Sequence, residues 1–338
     1  MKVLIAGLGS IGRRHLRNLT TLGVEEILLL RSQHSTLPDD ELEGLPVLTD
    51  VQSALDYQPD AVIVSNPTAL HLDIAIPAAE RGIHLFLEKP LSHSMQRVNI
   101  LRRAVEHGGG QVTVGFQFRF HPGLQQVKRL LDEGAIGKPS SAHAHWGEYL
   151  PSWHPWEDYR QGYSARPELG GGVILTLCHP FDYLRWLFGE VTALWAFAGH
   201  LSDLKIAVED TAEIGLRFES SVLAGVHLDY VQRPPAHRLE FIGTGGTIRW
   251  GNASGAVHLY RASAGEWELF PAPAGFERND LFLEQMRHFL AVVRNEAPPS
   301  CTLEDGVRAL ELALAAHESA QSGLAIHLQG KANLPPAG

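Results

Sequence analysis

The chain has 338 residues, 44% of them hydrophobic and 20% charged, with a formal net charge of −10. That length exceeds one small core and predicts two domains, and the acidic balance argues against a nucleic-acid partner. No apolar run approaches the ~20 residues of a membrane span.

Two cysteines, Cys178 and Cys301, with no Cys-x-x-Cys, argue against a disulfide framework and point to a reducing, cytoplasmic setting. Met1-Lys2 leads straight into strand-like sequence, with no signal-peptide apolar region. The strand predicted over 3–6 runs into Gly7-Leu8-Gly9-Ser10-Ile11-Gly12, and 13–22 reads as a helix. Gly-x-Gly-x-x-Gly between a strand and a helix is a dinucleotide signature. Gly7 allows the turn, Gly9 lets a pyrophosphate approach the backbone, and Gly12 lets the helix pack closely. The helix start at Ser10 and Ile11 attracts the anion.

Further strands are predicted over 27–30, 61–65, 84–87 and 111–115, with helices over 69–81 and 94–107 and a loop over 37–47. This alternation predicts a doubly wound parallel sheet over 1–118. The second strand ends Leu29-Leu30-Arg31-Ser32, with arginine where a carboxylate would repel a 2′-phosphate. Arg31 and Ser32 therefore predict NADP over NAD. The alternative is a solvated strand-end charge and use of either cofactor. Asn66-Pro67-Thr68, followed by His71, and Glu88-Lys89-Pro90 sit at expected carboxyl ends of parallel strands, where such sheets bind ligands.

These motifs, with Phe116-Gln117-Phe118-Arg119-Phe120-His121-Pro122 and Gly170-Gly171-Gly172, resemble the Gfo/Idh/MocA oxidoreductase family across nearly the whole chain. The resemblance implies a Rossmann domain followed by an α/β domain on an open, mostly antiparallel sheet. It also implies hydride exchange between a nicotinamide and a secondary alcohol or ketone carbon of a sugar, sugar acid, nucleotide-sugar or cyclitol. The strand-like segments 140–146, 193–201, 211–218, 222–230, 238–242 and 247–250 agree with that second domain over 119–330, ahead of a loose tail at 331–338. Helices over 281–293 and 303–320 follow those strands. An open sheet leaves a face to cover, and a homodimer or homotetramer through it is expected.

From Val173 the sequence reads as one helix, with Thr176, His179 and Asp182 on one face. By the resemblance, Lys89, an Asp and a His handle the proton, and Thr176 stands where that Asp is usual. Lys89 and His179 are the candidate catalytic pair, either one the base, with Thr176 and Asp182 in support. An aromatic loop containing Trp153, Tyr159, Arg160 and Tyr163, together with Arg119 and Arg233, is the candidate substrate-binding set. Arg160 and Arg233 are suited to a carboxylate or phosphate, or to plain surface salt bridges. No metal centre is expected: His143 and His145 alternate on one strand face without further ligand spacing. Two other readings remain. One is a cofactor-retaining enzyme that epimerises or cleaves glycosides by transient oxidation, and the other a catalytically degenerate NADP-binding sensor.

Overall fold

A computed structural model describes residues 1–31 and 40–328. Ser32 and the tail at 331–338 lie outside the described residues. The chain divides into two compact units. The first comprises residues 1–117, 168–170 and 277–310, and the second 118–167, 171–276 and 311–338.

The first unit holds a six-stranded sheet built from β1 (Lys2–Ala6), β2 (Glu26–Leu30), β3 (Val47–Leu48), β4 (Ala61–Val64), β5 (His84–Leu87) and β6 (Val112–Val114). All neighbours are parallel, in the order β3-β2-β1-β4-β5-β6. Helices cover a parallel sheet on both faces, so its strands read as continuous apolar runs. Val3, Leu4, Ile5 and Ala6 are all fully buried. The segment read as a loop over 37–47 contains a short 3-10 turn, Asp40–Leu42, and ends at the edge strand β3. Two exposed-to-intermediate residues make up β3, too few to show a pattern.

The units differ from the expected boundaries, 1–118 and 119–330, in that residues 168–170 and 277–310 belong to the first. Helix Arg278–Val293 returns to the first sheet, where Met286, Phe289 and Leu290 join the core of Val3, Ile5 and Phe86. Its apolar spacing was legible, but not the surface it covers.

The second unit holds a nine-stranded sheet: β7 (Pro139–Tyr149), β8 (Val191–Gly199), β9 (Thr211–Phe218), β10 (Leu223–Asp229), β11 (Val231–Gly243), β12 (Gly246–Gly251), β13 (Val257–Arg261), β14 (Glu266–Phe270) and β15 (Ile326–His327). The order is β14-β13-β12-β11-β7-β10-β9-β8-β15, and only β7 and β10 pair in parallel. On β7, Ala142, Ala144 and Trp146 face the core, while His143 and His145 face away. A register shift between Val231 and Ala236 accommodates Pro234 and Pro235, which cannot donate to a regular ladder.

The helix expected from Val173 is two helices, Val173–Thr176 and His179–Phe188. Pro180 has no amide hydrogen for the Thr176 carbonyl, and its ring crowds that carbonyl, so the helix stops and restarts with proline in its first turn. Thr176 and His179 therefore do not share one helix face.

Phe289 is fully buried and meets the Phe86 ring edge-on at 5.4 Å. Phe289→Ala is expected to cost about 3–5 kcal/mol in urea denaturation. A loss below about 1 kcal/mol would mean that this helix contributes little to the first core.

Candidate active site

In the first unit, the expected cofactor residues gather at the carboxyl edge of the sheet. Gly7 has φ +97°, and a Cβ there would strike the Asn66 backbone; a Cβ on Gly12 would strike the Gly7 carbonyl. Around Gly9 no atom lies within 4 Å of where a Cβ would be, so the loop crest is open for a close ligand approach. Helix Ser10–Thr21 starts there, with no acidic residue in its first turn to offset its positive end. This cradle fits a dinucleotide pyrophosphate. Arg31 directly follows β2, and its amide donates to the Leu48 carbonyl at 3.0 Å.

Asn66, Pro67 and Thr68 follow β4. His71 is buried, with one ring nitrogen 2.9 Å from the Asn66 carbonyl and the other 3.3 Å from the Leu91 carbonyl. Burial lowers its pKa against those bonds. The ring lies between the loop after β4 and the loop after β5, and its single N–H in the neutral form serves one of the two carbonyls. Glu88 follows β5. Its Oε1 lies 2.8 Å from Nε2 of fully buried His15, on the helix after the glycines, and its Oε2 accepts from the Lys89 amide at 3.2 Å. Burial alone pushes Glu88 up. The His15 bond and the charges of His15 and Lys89 outweigh it, and the net shift is down.

In the second unit, His179 is buried at the start of its helix. It stacks on Trp146 at 5.2 Å and meets the edge of Phe118 at 5.0 Å. His237, the cross-strand partner of Trp146, stacks on the same indole at 4.2 Å. Burial pushes His237 down to about 3 and His121 to about 4, so both are neutral near pH 7. Arg119 grips Asp182 with two nitrogens, Nε to Oδ2 at 3.0 Å and Nη2 to Oδ1 at 2.6 Å, both side chains buried. This pair commits Arg119 and Asp182 to each other and fixes the His179 helix at its first turn.

The remaining expected substrate residues are spread out. Trp153 meets the Tyr230 ring edge-on at 5.5 Å, and Tyr230 bonds toward Thr176 and Ser164. The Tyr159 hydroxyl accepts from the Lys205 amide at 3.1 Å, and the Tyr163 carbonyl accepts from the Arg166 amide at 3.1 Å. Arg160 pairs with its neighbour Asp158, and Arg233 lies over the Tyr149 ring at 4.0 Å.

Glu209 escaped sequence reading. Its carbonyl accepts from the Val173 amide, and its Oε1 accepts from the Ile174 amide at 3.1 Å, at the start of the turn that carries Thr176. Gly172 has φ +106°, and a Cβ there would strike the Glu209 carboxyl group. Only the need for a third consecutive glycine hinted at this packing. Burial pushes Glu209 up to about 7.

Comparison with known proteins agrees with this architecture. Residues 1–116 match the model of an oxidoreductase family with an NAD-binding Rossmann fold, and residues 124–249 match the GFO/IDH/MocA C-terminal domain. The chain belongs to the Gfo/Idh/MocA family of NAD-binding oxidoreductases. It is 30% identical to 1,5-anhydro-D-fructose reductase of Ensifer adhaerens over 81% of both chains. It is 28% identical to myo-inositol 2-dehydrogenase of Thermotoga maritima, over 97% of this chain and 99% of that one. Among solved structures, the WlbA dehydrogenase of Bordetella pertussis in complex with NADH and UDP-GlcNAcA aligns with TM-score 0.82 and 21% identity. That alignment covers 98% of this chain and 99% of the other.

A carboxyl group with a raised folded pKa keeps its proton in the folded chain after the unfolded chain has lost it. Glu209 therefore costs no stability below its ordinary value of 4.5, and its cost grows up to about pH 7. Glu209→Gln keeps the acceptor for Ile174. The variant should match the wild type near pH 4.5 and exceed it by about 3 kcal/mol near pH 8, read by urea denaturation. Parallel pH profiles would place Glu209 in solvent.

Proposed function

We propose that this oxidoreductase interconverts a secondary alcohol and a ketone on a sugar, sugar acid, nucleotide-sugar or cyclitol, with NADP preferred over NAD, in a reducing cytoplasm. The observation that carries the reading is the His15–Glu88 bond. It ties the helix after the glycine loop to the residue beside Lys89, on one edge of one sheet. Relatives that act on anhydrofructose and inositol support the substrate class.

Gly7, Gly9, Ser10, Ile11 and Gly12 would hold the pyrophosphate, Arg31 and Ser32 the 2′-phosphate, and the loops after β4 and β5 the nicotinamide side. A bound nicotinamide supplies the hydride acceptor or donor. Lys89 donates a hydrogen bond to the substrate oxygen and stabilises the negative charge that develops there. His179 takes the hydroxyl proton during oxidation and returns it during reduction. Asp182, through Arg119, holds the helix that carries His179. Thr176 contributes a hydroxyl but no charge, so any carboxylate work in its neighbourhood falls to Glu209.

Parallel titrations with NADPH and NADH, read by energy transfer from the seven tryptophans, test the cofactor. Arg31→Asp should weaken NADPH by about 10- to 100-fold and leave NADH nearly unchanged. Lys89→Ala should lower kcat by about 100- to 10,000-fold while NADPH binding persists. Equal binding of both nucleotides removes the NADP preference, and unchanged turnover removes Lys89 from the mechanism. Product formed with no net change in NADPH selects a cofactor-retaining, non-redox reaction.

We also propose that two copies of the chain pair through the open face of the second sheet. Trp195 and Phe197 on β8 are exposed there, Phe197 by 69%, and their rings meet at 5.1 Å. A single exposed apolar residue is ordinary, but a contiguous aromatic patch on a sheet face marks an interface. Phe197→Glu should shift the mass measured by light scattering to that of one chain. An unchanged assembly would move the interface elsewhere.

A further inference from the structure

Side chains from four neighbouring strands converge on the open face of the second sheet. His145 on β7 and His227 on β10 are direct register partners, and their rings stack at 4.5 Å. Asp229 lies two residues further along β10, on the same face. One donor atom from each of His145, His227 and Asp229 lies within 4.8 Å of the other two.

The surrounding hydrogen bonds fix the orientation of these donors. His227 presents Nδ1 to Glu213 Oε1 at 2.6 Å and Nε2 to Asp229 Oδ2 at 3.0 Å. Asp229 Oδ1 accepts from the Val231 and Gln232 amides at 2.7 and 2.6 Å, which aims Oδ2 at the imidazole. His145 Nε2 lies 2.5 Å from Gln232 Oε1. A metal-ligating imidazole almost always gives its other N–H to a carboxylate or carbonyl oxygen, which sets its tautomer. Glu213 and Gln232 stand in those outer positions for His227 and His145.

With its Nδ1 hydrogen given to Glu213, neutral His227 turns a lone pair toward the Asp229 carboxylate. Two acceptors 3.0 Å apart need a cation in contact with both. That cation is either a second proton on His227 or a metal ion. Room at the strand surface comes from position 147. A Cβ on Gly147 would strike Asp229 Oδ2 and Gln232 Oε1, so these oxygens lie where a side chain would otherwise stand.

We infer that His145, His227 and Asp229 bind a divalent transition-metal ion on the open face of the second sheet. Two imidazoles and one carboxylate suit zinc, cobalt or nickel, not calcium or magnesium, which favour all-oxygen sites. The ion would bridge β7 and β10, the one parallel pairing in that sheet, and so serve the sheet itself rather than the hydride chemistry.

The test is a Co²⁺ titration of the untagged, chelator-treated full chain, read in the visible ligand-field bands and by equilibrium dialysis. One Co²⁺ per chain is expected. His145→Gln and His227→Gln should each abolish the bands, and Glu213→Gln should weaken binding by about 10- to 100-fold while keeping them. A far-ultraviolet circular dichroism spectrum and a urea denaturation midpoint equal to wild type would show that each variant is folded. The inference is overturned if the wild type shows no bands, or if the bands survive in both histidine variants; His227 and Asp229 would then share only a proton.

Discussion

The buried hydrogen bond between His15 and Glu88 is the constraint on which the first unit's chemistry depends. A carboxylate taken out of water is tolerated only when a partner answers its charge. Here the partner comes from the helix that begins at the glycine loop, and the carboxylate adjoins Lys89 in the chain. One contact therefore sets the spacing between the pyrophosphate cradle and the lysine. Removing either partner would strand the other in a dry environment, a loss of order 3–5 kcal/mol. Buried His71 sits between the loops after β4 and β5, its two ring nitrogens facing the Asn66 and Leu91 carbonyls.

The second unit positions its histidine differently. His179 rests on a wall of rings, Trp146 and Phe118, with neutral His237 beyond. Such a wall gives orientation and low dielectric but no charge. Charge enters through the Arg119–Asp182 pair, which holds the helix. Glu209 is the buried carboxylate at the turn carrying Thr176, and its proton is loosely poised near neutrality. The arrangement separates holding, done by the Arg119–Asp182 ion pair, from titrating, done by a carboxyl group whose nearby basic group is an imidazole, His317 Nε2 at 3.7 Å.

Much of this was legible in the sequence because it is local. The glycine spacing, the apolar parallel strands and Glu88-Lys89-Pro90 are each contained within about a dozen residues, and each took its expected place. The sequence likewise put His143 and His145 on one face of β7, and the structure shows that face turned away from the core. What the sequence hid depends on distant partners. Nothing near Asp182 signals Arg119, and nothing near His145 signals His227, because both pairings are made by sheet register and helix docking. Edge strand β14 was hidden for another reason. Both its faces are exposed, with Trp267 and Leu269 uncovered, so no alternation marks it. Pro180 was visible, but its power to break a helix was outweighed by an attractive periodic pattern.

The first unit is discontinuous, and this has a consequence for its biogenesis. Its sheet strands all lie before residue 117, yet Met286, Phe289 and Leu290 of its core arrive only with residues 277–310. A ribosome adding ~5–20 residues per second leaves that core incomplete for a time on the order of ten seconds or more after the last strand emerges. Throughout that interval the apolar surface around Ile5 and Phe86 is uncovered. Sheet strands β7–β14 of the second unit are all translated inside the same interval, but that unit too waits for the segment after residue 310, so each unit is closed by chain that emerges only at the end.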